Sequence, residues 1–181
     1  MGWWEDLRER WRAFDRAAAR STQEAFEART GRVLMPVGGV RSLDVDGVRD
    51  LVRSGRLPVV EHHWATWCSA CMDDLPRVEE LHAGLAGRAR VIGVCWERFA
   101  DARAAGEVRA HVERFVHAHG LTFPNAVVDG APEALIAALA LPADTIPLTR
   151  VIDPDGGVLR VFHGPLDEAD TRHVMELLGG R

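Results

Sequence analysis

Two cysteines separated by two residues, where an apolar run gives way to a helical pattern, constrain this chain more than any other feature. The stretch is "LPVVEHHWATWCSACMDDLP", residues 57 to 76. Its first nine residues (57–65) read as a strand, and a helix is expected from near Cys68 to about Leu85, bent at Pro76 because proline removes a backbone donor. At such a junction the first helical amides point at Cys68, and the helix dipole favours a thiolate there. Cys71 lies one turn inside, within reach to form or break a disulfide with Cys68. Four residues thus supply a nucleophile and a resolving thiol.

Two other uses of the pair are weaker. A zinc site needs two more ligands; Cys95 with His62 or His63 can be put forward, but the sequence has no second CxxC and no HxxxH. A disulfide closing a two-residue loop constrains little of the unfolded chain. The expectation is redox chemistry by the thiols themselves, with no metal and no cofactor. Three cysteines in 181 residues exclude a disulfide-rich scaffold and leave one thiol unpaired. A net charge of −5, with the arginines scattered, gives no reason to expect nucleic acid or an anionic membrane as partner.

Residues 1–35 read as an amphipathic helix and linker, and 36–181 as one α/β domain. Over 3–30, Trp4, Leu7, Trp11, Phe14 and Ala18 recur at spacings of three and four, which makes one apolar face. That face is expected to pack on its own domain or on a partner. Binding to a membrane surface is the weaker alternative, because the polar faces carry as many acids as arginines. "LMPVGG" (34–39) serves as the linker. Then come a strand at 40–44, a helix at 46–55, the Cys68 strand and helix, a strand at 89–96, a helix at 106–120 and a strand within 121–129. A helix at 132–140, a hairpin over 147–164 with its turn at Asp153 to Gly157, and a helix at 167–180 complete the chain. The alternation implies a central mixed sheet flanked by helices. The N-terminus has no apolar signal core, so the chain as it stands reads as cytoplasmic, or periplasmic if "MGWW" stands in place of a removed leader.

"HWATWCSACMDDLP" resembles the active-site signature of the thioredoxin superfamily, and the resemblance extends over roughly residues 38–180. The segment between "VIGVCW" and "TIP" is similar to the helix–strand insertion of the TlpA-like thiol–disulfide oxidoreductases. The resemblance implies a thioredoxin-like fold, here expected with a five-stranded core sheet and the Cys68 strand central. It also implies a cis peptide at Pro147, preceded by Ile146 and facing the cysteines, where backbone pairs with an incoming peptide. Trp67 matches the aromatic that flanks the nucleophile and shapes the partner-binding surface.

The sequence departs from that pattern in informative places. Ser69-Ala70 lies between the cysteines where the family usually has proline before the second, so the reduction potential is this chain's own. His62 stands six before Cys68, where thioredoxins keep a buried aspartate for proton transfer; a histidine can do that work or be a packed core residue. His63 replaces an apolar core residue and reads as structural. Asp74, three after Cys71, matches a glutamate of TlpA-like reductases and reads as an acid or base for the buried thiol, or as a solvated acid like Asp73. Cys95 reads as a small buried hydrophobe, with a third redox thiol as the alternative. His111, His117 and His119 are not spaced as a ligand pair.

The function implied is thiol–disulfide exchange on protein disulfides or dithiols, with an upstream redox partner. A peroxiredoxin-like peroxidase ranks lower because its PxxxTxxC pattern is missing. A non-catalytic thioredoxin-fold binding module is the third reading.

Overall fold

The computed structural model describes residues 38–101, 103–142 and 145–180. The helix expected over 3–30, its linker and the boundary at 35/36 lie outside the described residues. From residue 40 the elements run β1 (Val40–Leu43), α1 (Val45–Arg53), β2 (Val59–Trp64), α2 (Ser69–Gly84) and β3 (Arg90–Cys95). A single 3-10 turn (Glu97–Phe99) leads to α3 (Ala105–Ala118), β4 (Asn125–Val128) and α4 (Pro132–Leu139). The chain closes with β5 (Leu148–Ile152), β6 (Val158–His163) and α5 (Glu168–Gly179).

The strands form one sheet in the order β1-β4-β3-β2-β5-β6. The first four run parallel, and β5 and β6 antiparallel to their neighbours. The sheet therefore has six strands where five were expected. β4 is the reason: it pairs with both β1 and β3 and all four of its residues are buried, so the insertion contributes a strand to the core itself. The strand falls within the expected 121–129, and Pro124 precedes it, since proline is tolerated at a strand's start but not inside a ladder.

Right-handed crossovers fix the layers. The chain moves leftward through α2 and α3 and rightward through α1, so α2 and α3 share one face and α1 lies on the other. α5 packs beside α2, and α4 beside α1. β2 is buried along its whole length, as a central strand covered on both faces should be. The two-residue alternation of a strand then divides its polar residues. His62 and Trp64 turn toward α2 and α3, meeting Asp74 and Phe115 there. Glu61 and His63 turn to the opposite face, where Glu61 meets Arg150.

Local chemistry places the ends of the elements. Asp44 caps α1, its side chain accepting from Gly47 N–H at 2.7 Å. α2 continues through Pro76 to Gly84. The hairpin turn falls where expected, with Asp153 accepting from the amides of Asp155 and Gly157 at 2.9 and 2.8 Å. Gly93 on β3 faces a packed polar contact: a Cβ there would overlap Asn125 Oδ1 and lie 2.8 Å from Trp64 Nε1. Among the described residues no helix is long and apolar enough to cross a membrane.

Candidate active site

Cys68 is the N-cap of α2, in extended backbone, and its sulfur accepts from Cys71 N–H at 3.2 Å. The two cysteines are joined as a disulfide with their Cα atoms 5.3 Å apart, within the normal range for such a bond. Their exposure differs: Cys68 keeps 9% of its surface and Cys71 none. Trp67 beside them is half exposed. The Ile146–Pro147 peptide is cis, and the Ile146 carbonyl oxygen lies 3.8 Å from Cys68 Sγ. Cys68, Cys71, Trp67, Ile146 and Pro147 thus meet at one end of the sheet.

Beneath them lie the two proton-transfer candidates. His62 is fully buried, its Nδ1 2.9 Å from Thr149 Oγ1 and 3.8 Å from Asp74 Oδ2. Asp74 is buried as well, its Oδ1 accepting from Leu166 N–H at 2.8 Å, while Asp73 next to it is exposed. The reading of Asp74 as a solvated acid is thereby removed. Among the described residues, His62 Nε2 and Asp74 Oδ2 have no hydrogen-bond partner. Burial, with a lesser electrostatic contribution from the neighbouring His63, pushes the His62 imidazole down to about 3. Burial pushes the Asp74 carboxyl up to about 6, against the pull of the Leu166 amide and Arg77. His62 is therefore neutral, and Asp74 is shifted toward its neutral form without being held there at neutral pH. An unpaired buried acceptor costs less than an unpaired donor, so the ring places its proton on Nδ1, toward Thr149, and leaves Nε2 as a bare lone pair.

No family model matches the chain. Among curated proteins, the thiol–disulfide oxidoreductase ResA of Halalkalibacterium halodurans is 30% identical over 162 residues, covering 89% of this chain and 81% of that protein. This chain belongs to the ResA-like thiol–disulfide oxidoreductases of the thioredoxin superfamily. ResA of Geobacillus thermodenitrificans is 29% identical over 114 residues, and there the match spans 58% of the relative's length. The fold is shared with StoA from Bacillus subtilis, at a TM-score of 0.54 and 21% identity over 69% of this chain and 84% of that one. The exposed lipoprotein thioredoxin Etrx1 of Streptococcus pneumoniae gives 0.53 and 19%, over 80% and 97%.

This ResA-like chain also carries polar residues that sequence reasoning passed over. On the sheet face opposite His62, Glu61 accepts from His63 Nε2 at 2.5 Å and from the Arg150 guanidinium at 2.7 Å, and Arg150 reaches on to the Leu139 carbonyl at 2.7 Å. Trp96 donates its indole N–H to His63 Nδ1 at 2.9 Å. Since Trp can only donate, that bond puts the His63 proton on Nε2, toward Glu61. Burial works to raise the Glu61 carboxyl, but His63 and Arg150 hold it below its ordinary value. With both ring nitrogens engaged, His63 is a structural link, in keeping with the sequence reading. Cys95 is buried at the end of β3, and burial drives its thiol far above the ordinary value, which fits the small-hydrophobe reading. Thr149, Glu61 and Arg150 had no signal in the sequence beyond an unusual charge in an apolar strand.

Proposed function

We propose that this protein exchanges disulfides with protein partners through the Cys68–Cys71 pair, running as a reductase when its dithiol form is supplied. The observation that carries this reading is the Cys68 sulfur at a helix N-cap, receiving the Cys71 amide and facing the Ile146 carbonyl, with its partner cysteine buried one turn behind. A thiolate there is favoured by the amide and the helix dipole.

In the reductive direction, the Cys68 thiolate attacks one sulfur of a partner disulfide, forming a mixed disulfide and releasing the other sulfur as thiolate. Cys71 then loses its proton and attacks Cys68 Sγ. The Cys68–Cys71 bond forms as the mixed disulfide breaks, and the partner leaves as a dithiol carrying two electrons. An upstream dithiol partner reverses the exchange to regenerate the enzyme. We assign the Cys71 proton to the buried pair His62 and Asp74: at about 6 the Asp74 carboxylate is the group that holds it, and His62, at about 3, serves through Nε2 only as a relay. Trp67, Ile146 and Pro147 form the surface that receives the partner's backbone. An extracytoplasmic station is favoured over the cytoplasmic one, as for the secreted Corynebacterium glutamicum isomerase among the structural neighbours.

Insulin reduction by the purified full chain tests this reading. Cys68→Ser is expected to abolish it, and Cys71→Ser to accumulate mixed disulfides. Full activity in both variants would overturn the proposal. The measured potential of the pair then sets the direction in which it works.

A further inference from the structure

The chain from Ala65 to Cys68 has to turn out of β2 and set the Cys68 sulfur against the first amides of α2. Within the loop, Cys68 N–H donates to the Ala65 carbonyl at 3.2 Å. The remaining hold comes from the end of β3 and the turn after it. Trp96 N–H donates to the Trp64 carbonyl at 2.8 Å. One residue on, Glu97 turns both carboxylate oxygens onto Thr66. The Thr66 amide donates to Oε2 at 2.9 Å, and the Thr66 hydroxyl to Oε1 at 2.8 Å. Glu97 is 4% exposed. Bonds to an ionised acceptor are roughly twice as strong as neutral ones, and here two of them restrain a single residue.

His111 on α3 closes the cluster. Its Nε2 lies 3.2 Å from Thr66 Oγ1 and 3.7 Å from Glu97 Oε1. The hydroxyl has one proton and Glu97 takes it, so the imidazole Nε2 carries a proton and donates to the hydroxyl oxygen. The mechanism proposed above uses none of these three residues.

We propose that Glu97 is a positioning residue for Cys68, acting through Thr66, with His111 as the outer member of the clamp. The proposal rests on the reading of Cys68 as the nucleophile. Thr66 stands two residues before Cys68, so holding its amide and hydroxyl sets the direction in which Trp67 and Cys68 leave the strand. That direction fixes the approach of Cys68 Sγ to the Cys71 amide, and with it the stabilisation of the thiolate. The segment between β3 and β4 thereby does more than extend the sheet: it tunes the reactivity of the sulfur it reaches.

Geometry can be separated from charge. Thr66→Val removes the hydroxyl bond and leaves the carboxylate; Glu97→Asp keeps the charge and withdraws it by one methylene; Thr66→Ser keeps the hydroxyl. The readout is iodoacetamide alkylation of Cys68 against pH, in the reduced full chain carrying Cys71→Ser, with Cys95 shielded by burial. Thr66→Val is expected to slow alkylation at pH 7 by about fivefold to tenfold and to raise its pH midpoint by about one unit, the scale of one lost charge-assisted hydrogen bond. Glu97→Asp should move both quantities the same way, and Thr66→Ser should restore them to within about twofold. Wild-type rate and midpoint in folded Thr66→Val and Glu97→Asp would overturn the proposal, as would a Thr66→Ser protein as slow as the valine variant. Insulin turnover with Cys71 intact is read separately. Clamp-sensitive alkylation without turnover would sink the oxidoreductase reading and leave the positioning role standing.

Discussion

His62 and Thr149 face each other in register across β2 and β5, and the threonine hydroxyl meets the imidazole Nδ1 at 2.9 Å. The bond orients the ring and settles which nitrogen is left bare. If Nε2 relays the Cys71 proton, His62→Ala should lengthen the lifetime of the mixed disulfide by about tenfold to a hundredfold, up to the lower end of what a lost general base costs. Thr149→Val should produce a smaller lengthening by freeing the tautomer. Initial attack by Cys68 should change little in either. Quenched-flow trapping of the intermediate across pH 6 to 9 measures this, and unchanged lifetimes in folded His62→Ala would leave His62 as a packed core residue.

His62 and Asp74 pull stability in opposite directions with pH. His62 falls from its ordinary 6.5 to about 3, so the unfolded chain binds the extra proton between those values, and this group's contribution declines as pH drops below 6.5. Asp74 rises from 3.8 to about 6, so the folded chain binds the extra proton, and its contribution declines as pH climbs through 4 to 6. Each proton contributes a slope of about 1.4 kcal/mol per pH unit, and between pH 4 and 6 the two slopes nearly cancel. Urea denaturation should therefore show Asp74→Asn losing stability relative to wild type as pH falls from 6 to 4. His62→Gln should show the reverse, gaining stability relative to wild type over the same range. Parallel curves for all three proteins would contradict the coupling.

Glu61 is the hub of the buried network on the other face. Glu61→Ala leaves the Arg150 guanidinium charged, 3% exposed and without its carboxylate. Removing one partner of a buried pair costs about 3–5 kcal/mol, although the intact pair is itself weak evidence of net stability. The expected outcome is a lowered urea midpoint with an unchanged denaturant slope. Glu61→Ala with Arg150→Met should recover part of the loss, because no charge is then stranded.

What could be read from the sequence was local. The strand-to-helix turn at Cys68, the hairpin turn at Asp153 and the proline opposite the cysteines each follow from a few adjacent residues or from a short motif. What could not be read depends on register. Arg150 finds Glu61, and Thr149 finds His62, only because β5 pairs antiparallel with β2 at one particular offset, and nothing within either strand encodes it. Glu97 reaches Thr66 because β3 ends level with β2, at the pair Trp64 and Cys95. The two aspartates after Cys71 differ only in helical phase: Asp74 shares the inward face of Cys71, and Asp73 does not. The strand within 121–129 is legible, but its place between β1 and the central β3, which makes the core six-stranded, is again a matter of pairing that its own residues do not encode.

Gly93 tests that centre directly. It stands in register with His62 on one side and Asn125 on the other, and its missing side chain leaves room for the Trp64 indole to donate to Asn125 Oδ1 at 3.0 Å. The Asn125 amide in turn donates to the Phe123 carbonyl at 2.8 Å. A methyl group at 93 would overlap Asn125 Oδ1 and crowd both Trp64 Nε1 and the Phe123 ring. Backbone conformation is not the obstacle, since the position lies within a regular strand where alanine is acceptable. The cost is overpacking, about 1–3 kcal/mol, with more added if the buried indole N–H loses its acceptor. Gly93→Ala should therefore lower the urea midpoint and shift the Trp64 indole resonance. Gly93→Ala with Asn125→Ala should remove the overlap and recover stability beyond what adding the two single effects gives. Strict additivity in that double-mutant cycle would show that the glycine is not held by this contact.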